Sequence, residues 1–261
     1  MKRFFSIILS GIFVLSTVAP TFASEPTNNI NMVENMINCG ASRLINESTE
    51  KSGVENYTIE TAGVLANIKK EPVSNGDLYT VHEGELTNEI LITPIGEIYL
   101  DGNLVTFSTT SQATATSDIT TRSYYESWDY NDRAFAPGPY TSNEITKKTT
   151  VRLEQKISQL SLSVIAGIVA AGLFKDMSVG VAAGLLSYKG LAEYYDWLNA
   201  FDPEASCLYI KKTTWTNGNP DLGSSTLKYY FKITTEYYKD SKYKDYHSGG
   251  TIYALQSINN H

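Results

Sequence analysis

Two hydrophobic patterns alternate along the chain. From Tyr57 to Phe107, short apolar runs are separated by turn signals, and Asp101-Gly102 favours a tight hairpin because these residues tolerate a positive φ. From Thr226 to Tyr238 the residues alternate between two faces: one carries Leu227, Tyr229, Phe231, Ile233 and Tyr237, and the other carries Lys228, Lys232 and Glu236. This period of two predicts antiparallel strands with one covered face.

A different pattern lies between these strands. Residues 160–192 contain three charges, five glycines and six alanines, and the apolar residues recur at spacings of three and four. This predicts a helical hairpin over residues 151–199. Small residues allow close helix packing, and the positions proposed for it are Ser163, Gly167, Ala171, Gly172, Gly180 and Gly184. Both a buried core hairpin and a membrane-inserting one fit the pattern.

The chain divides into four predicted segments. Residues 1–23 have a basic start, an apolar run and a small-residue cleavage site, as in a secretion signal, so we expect a secreted, extracellular protein. Residues 24–107 form an acidic N-terminal module with a short helix (Met32–Glu47) and β-hairpins, and residues 108–122 form a Ser/Thr-rich linker. Residues 123–261 form a Tyr-rich domain in which a sheet packs on the hairpin. The predicted fold class is α+β.

Charge and cysteine content narrow the function classes. The formal net charge is −7, and residues 24–122 hold five basic and fourteen acidic residues, so we expect no nucleic-acid partner. Cys39 and Cys207 are candidates for a disulfide, with two independent thiols as the alternative. Arg122 at the end of the linker is a candidate cleavage site, with an uncut loop as the alternative.

Residues that carry chemistry are sparse. The three histidines, His82, His247 and His261, show no metal-ligand spacing, and no nucleophile or phosphate-binding motif occurs. A Cys207–His247 pair has no supporting sequence context. The carboxylates of Glu126, Asp129 and Asp132 could serve hydrolysis or bind calcium, but a solvated turn explains them better. We therefore expect no enzyme activity, no catalytic residue, no cofactor and no metal.

Tyrosines offer a binding surface instead. Tyr238, Tyr243 and Tyr246 are interleaved with lysines, a combination that suits cell-wall sugars or the lipid headgroup region. Packing of these rings into a core is the alternative.

The layout of a signal, a polar N-terminal region and a Gly/Ala-rich apolar block in a Tyr/Lys-rich domain resembles the large secreted bacteriocins of Gram-positive bacteria, the geobacillin-type proteins. The resemblance covers about Tyr124 to Tyr253 and implies antibacterial activity. We therefore predict a membrane-active antibacterial protein acting through residues 160–192, with a non-catalytic cell-wall or surface-binding module as the alternative. The expected partner is a target-cell membrane or cell wall, and self-association in the membrane is an open alternative.

Overall fold

The computed structural model describes residues 42–61, 63–113, 125–131, 133–174, 188–217 and 226–259. These residues form two antiparallel sheets with two short helices. The first sheet is a seven-stranded meander in which each strand pairs with the next along the chain. Its strands are β1 (Ser42–Thr49), β2 (Glu55–Thr61), β3 (Val64–Val73), β4 (Gly76–Glu83), β5 (Leu86–Ile92), β6 (Ile98–Leu100) and β7 (Asn103–Leu104).

The second sheet has six strands and a more complex order. Its strands are β8 (Thr106–Ala113), β9 (Tyr125–Asn131), β10 (Ser142–Arg152), β11 (Cys207–Thr216), β12 (Thr226–Tyr238) and β13 (Tyr246–Asn259). They lie in the order β8-β10-β11-β12-β13-β9. Strand β8 follows the meander directly and forms an edge of this sheet, so the two sheets are joined without an intervening spacer.

Two helices and a short 3₁₀ turn (Ile157–Gln159) lie between β10 and β11. Helix α1 spans Leu162–Phe174 and helix α2 spans Tyr188–Phe201. Helix α1 packs against β4, β5 and β6 of the first sheet and against α2, whereas α2 packs on β12 and β13 of the second sheet. The buried residues of both sheets and both helices form one continuous hydrophobic cluster.

Helix α1 is enclosed on every side. All residues from Ser161 to Ala171 are buried, as expected for a helix without a polar face. Its first turn is capped twice. The Ser161 hydroxyl accepts the Val164 amide at 3.2 Å, and the Glu83 carboxylate on β4 accepts the Leu162 and Ser163 amides at 3.3 and 3.1 Å. At the other end, the Lys212 ammonium donates to the Leu173 carbonyl. Both charges complement the helix dipole.

Helix α2 approaches the second sheet unusually closely. A Cβ atom added at Gly190 would lie 2.3 Å from the backbone nitrogen of Gly249 on β13. The Ser248 hydroxyl donates to the Gly190 carbonyl at 2.6 Å, and the Tyr194 hydroxyl donates to the Tyr238 carbonyl at 2.7 Å. Glycine at position 190 therefore sets the distance between helix and sheet.

The predicted α+β fold with a helical hairpin over residues 151–199 is wrong. The described residues are mostly β, and they contain two short helices that do not form the predicted hairpin. Val151 and Arg152 end strand β10. Leu153, Ile157 and Leu160 have helical spacing and are buried, but they lie in a loop and a 3₁₀ turn. Their burial comes from tertiary contacts, so spacing alone could not distinguish loop from helix. Gly180 and Gly184 lie outside the described residues.

Two other boundaries also differ from the prediction. Residues 42–47 belong to strand β1 rather than to a helix, and residues 32–41 lie outside the described residues. The polar residues 108–113 belong to β8 rather than to a linker. Their backbone N–H and C=O groups are satisfied by pairing with β10, which does not require apolar side chains. The Asp101-Gly102 hairpin agrees with the prediction: the two residues have φ values of 47° and 81° and join β6 to β7.

The Glu83 cap gives a first testable prediction. Glu83→Gln removes the charge and leaves one acceptor oxygen for two backbone amides, so we expect the free energy of unfolding to fall by about 1–3 kcal/mol. Urea unfolding measures this change. The matched control is Glu85→Gln in the adjacent exposed turn, for which a change below about 0.5 kcal/mol is expected. Equal effects of the two substitutions would contradict the assignment of Glu83 as a cap.

The close approach of α2 gives a second prediction. Alanine is favoured over glycine within a helix by about 1 kcal/mol, yet we expect Gly190→Ala to destabilise the protein by about 1–3 kcal/mol because the new methyl group meets fixed backbone. Gly172→Ala in α1 is the comparison. There the Cβ atom would meet the Phe107 ring, which can rotate away, so a smaller loss is expected. Unfolding curves in which Gly190→Ala is as stable as the wild type would refute the close contact.

Candidate functional site

The candidate site is the outer face of the six-stranded sheet, the face turned away from α1 and α2. Strand alternation assigns the residues to faces. The Lys212 side chain reaches α1 and Tyr237 is fully buried, so the neighbouring Lys211 and Tyr238 point outward. This agrees with the sequence prediction that Lys228, Lys232 and Glu236 share one face of β12. The outer face contains no covering helix among the described residues.

Three tyrosines predicted as a surface converge at one end of this face. The rings of Tyr238 and Tyr243 have centroids 5.7 Å apart, and those of Tyr238 and Tyr246 are 6.0 Å apart. Tyr209 joins them, with its ring centroid 6.2 Å from that of Tyr243. We call Tyr209, Tyr238, Tyr243 and Tyr246 the tyrosine cluster. The edge-on geometry of these pairs is a favourable one for aromatic rings.

Backbone geometry places the members of the cluster. Tyr209 and Tyr238 are direct cross-strand partners, and Tyr238 also pairs with Tyr246, where a bulge shifts the register. Tyr243 lies in the β12–β13 connection and has a φ of 56°. The Asp240 carboxylate holds this turn by accepting the amides of Lys242 and Lys244 at 2.7 and 3.1 Å. The hydrogen bond from the Asp245 amide at 2.6 Å, and then those from Lys244 and Lys242, lower the pKa of Asp240, so the turn is held at neutral pH.

The cluster combines packed and accessible rings. Tyr238 is only 7% exposed, whereas Tyr246 is 53% exposed and lies over the sheet. The Tyr243 hydroxyl is 2.9 Å from the Thr150 hydroxyl. Burial raises the pKa of Tyr243, and it also raises the pKa of Tyr209. Both hydroxyls therefore remain protonated at neutral pH and can donate hydrogen bonds. The cluster therefore contains both a ring packed as in a core, that of Tyr238, and a ring accessible to solvent, that of Tyr246.

Two lysines on the neighbouring strands interact with groups of this face. The Lys148 ammonium lies 5.6 Å from the Tyr243 ring centroid. The Lys211 ammonium pairs with the Glu236 carboxylate at 2.6 Å. Burial by itself lowers the pKa of Lys211, but the hydrogen bond and charge of Glu236 outweigh it and the pKa is raised. Lys148 and Lys211 therefore both interact with side chains of the outer face.

The residues proposed for close helix packing have structural roles. Ser163 donates its hydroxyl to Glu83, Gly167 and Ala171 are buried within α1, and Gly172 packs against Phe107. Among the described residues, no helix is long and apolar enough to cross a membrane. The structure thus places the described half of the Gly/Ala-rich block in the core.

Three predicted sites include residues that lie outside the described part of the chain. Cys207 begins β11 and is half-buried, but Cys39 lies outside the described residues, so their disulfide stays a prediction. Arg122 also lies outside them, and its cleavage stays a prediction. Asp129 is on β9, where burial raises the pKa of its carboxyl, whereas the side chains of Glu126 and Asp132 are not described.

One serine–histidine contact exists but does not resemble a nucleophile and its base. His247 Nδ1 is 2.9 Å from the Ser248 hydroxyl, which is buried and donates to the Gly190 carbonyl. Burial and then the charge of Lys239 lower the pKa of His247, whose ring packs 5.4 Å from Trp197. Within the described part of the chain, no three His, Cys, Asp or Glu side chains are grouped to hold a metal ion. The Ser248 hydroxyl therefore serves to tether α2 to β13 through its hydrogen bond to the Gly190 carbonyl.

Sequence reasoning did not identify Tyr209, Lys148 or Thr150 as neighbours of the tyrosine cluster. Tyr209 lies on β11, Lys148 and Thr150 lie on β10, and only the register between β10, β11 and β12 brings them to Tyr243 in the β12–β13 connection. The alternation along β11 was the available signal, since it places Tyr209 on the same face as Lys211.

Comparisons with protein-family models, curated protein sequences and solved structures found no match.

Proposed function

We propose that this chain is a secreted, non-catalytic protein that binds the cell wall of a target bacterium through the tyrosine cluster. The observation that carries the proposal is the convergence of Tyr238, Tyr243 and Tyr246 with Tyr209 on the sheet face turned away from the helices. Aromatic rings with protonated hydroxyls suit polyhydroxylated ligands, because the ring contacts apolar C–H groups while the hydroxyl group exchanges hydrogen bonds. Secretion is proposed from the N-terminal sequence.

The experiment is a pull-down of the full chain on purified Gram-positive cell walls. We expect wild-type protein to sediment with the walls and Tyr243→Ala/Tyr246→Ala to bind about tenfold more weakly or worse, a loss of at least about 1.4 kcal/mol. Tyr99→Ala on the first sheet is the matched control and should bind like the wild type. Tyr243→Phe keeps the ring but not the contact with Thr150, so it separates ring contact from hydrogen bonding.

Circular dichroism of each variant distinguishes lost binding from lost folding. A folded double variant that still sediments like the wild type would reject the tyrosine cluster as the binding site. Failure of the wild-type protein to sediment would reject the proposed function itself.

A second candidate is the antibacterial, membrane-active function. The observation that favours it is that the apolar helix α1 is buried inside the protein, with its N-terminal amides bound by Glu83 of the first sheet. Helix α1 has 13 residues and is about 20 Å long, short of the about 30 Å bilayer core, so it would enter one leaflet rather than span the membrane. Exposure of α1 would require the first sheet to move away.

Dye release from anionic liposomes tests this candidate. If α1 acts on membranes, Glu83→Gln should release dye faster than the wild type because the helix is less firmly held, and Glu85→Gln should not. The full chain is required, since a fragment starting at residue 123 would lack strand β8 of the second sheet. No release by Glu83→Gln, at a temperature where unfolding data show the helix loosened, would rule out a membrane role for α1.

A further inference from the structure

We infer that the outer face of the six-stranded sheet binds an extended, uncharged glycan chain along the strands, between the tyrosine cluster and a second aromatic group at Trp215 and Tyr253. This inference rests on the proposed wall-binding function and specifies its ligand. It is carried by three features of the face: a second aromatic group, a row of threonines between the two groups, and interspersed charges of both signs.

The second aromatic group lies further along the same strands. Trp215, Lys232 and Tyr253 are cross-strand neighbours on β11, β12 and β13. The Lys232 ammonium lies 5.0 Å from the Trp215 ring centroid, and Tyr140 packs edge-on against Tyr253 at 5.3 Å. The alternation of each strand places Trp215 and Tyr253 on the face that also carries the tyrosine cluster.

Between the two aromatic groups lie the Lys211–Glu236 pair and, next to it, a row of threonines. Thr146, Thr213, Thr234 and Thr251 are successive cross-strand partners on β10, β11, β12 and β13. The hydroxyls of Thr146 and Thr213 are 3.2 Å apart, and those of Thr234 and Thr251 are 3.0 Å apart. Except for Thr213, these side chains are only partly buried. They form a line of hydroxyl groups suited to exchanging hydrogen bonds with sugar hydroxyls.

The separation of the aromatic groups indicates a polymer. Tyr209 and Trp215 are six residues apart on one strand, which corresponds to about 20 Å at about 3.3 Å per residue. A single sugar cannot contact both groups. A glycan long enough to reach both groups binds the second group intramolecularly, once the first is bound. The affinity of the glycan should therefore rise with its length.

The charges on this face favour an uncharged ligand. Lys211 forms an ion pair with Glu236, whereas Lys148 and Lys232 keep their charge over the Tyr243 and Trp215 rings. Glu144 and Asp129 add negative charge on strands β10 and β9. Because cations and carboxylates are interspersed on this face, it presents no extended field of a single sign to an anionic polymer. Hydroxyl and ring contacts therefore decide the specificity.

The test uses soluble N-acetylglucosamine oligomers (dimer, tetramer and hexamer) titrated into the full chain by calorimetry. We expect affinity to rise about tenfold or more from dimer to hexamer, and to change less than about twofold between low and high salt. Trp215→Ala should remove most of the gain with length, so that the hexamer binds like the dimer. Thr234→Val/Thr251→Val should weaken the hexamer more than the dimer, whereas Thr58→Val on the first sheet should change neither.

The outcomes separate this inference from the proposed function. If walls are bound and Tyr243→Ala/Tyr246→Ala abolishes that binding, but affinity does not depend on oligomer length, the extended site is wrong while the wall-binding function stands. Affinity that falls steeply with salt would identify an anionic polymer and overturn the inference. Light scattering that shows a dimer dissociated by Trp215→Ala would assign the face to a second copy of the chain and likewise overturn it.

Discussion

The burial of helix α1 is the interaction on which the rest of the structure depends. A helix that is apolar on every side must be covered on every side, and neither sheet can do this alone. The first sheet supplies β4, β5 and β6, and α2 and Phe107 of β8 cover other parts of the helix. The two sheets therefore share one core, although the charge and tyrosine content of the chain change sharply between them.

Polar contacts fix the positions of both helices in that core. Glu83 and Lys212 come from different sheets and hold opposite ends of α1, each placed to complement the helix dipole. Gly190 and Gly249 let α2 lie against β13, and Ser248 fixes the contact with a hydrogen bond to the Gly190 carbonyl. Because α2 covers the inner side of β12 and β13 so closely, the apolar side chains of these strands are buried there. The remaining aromatic and polar side chains lie on the opposite face, which is the candidate binding surface.

This division of the second sheet changes how the Gly/Ala-rich block is interpreted. Small residues permit close packing in water as well as in lipid, and in α1 the described ones lie inside the core. A membrane role for α1 would require a conformational change, whereas Tyr246 on the outer face is already exposed. The physical cost of separating the sheets from α1 is the reason that wall binding ranks ahead of membrane action.

The sequence by itself determined the local features. The alternation in β12 and the Asp101-Gly102 hairpin could be predicted because each depends on residues close together in the chain. The hairpin over residues 151–199 was wrong, since Leu153, Ile157 and Leu160 are buried by distant residues and not by a helical repeat. Only the tertiary structure decided the strand register that brings Tyr209 to Tyr243 and aligns the four threonines. Register depends on contacts between segments far apart in the chain, and no local pattern contains that information.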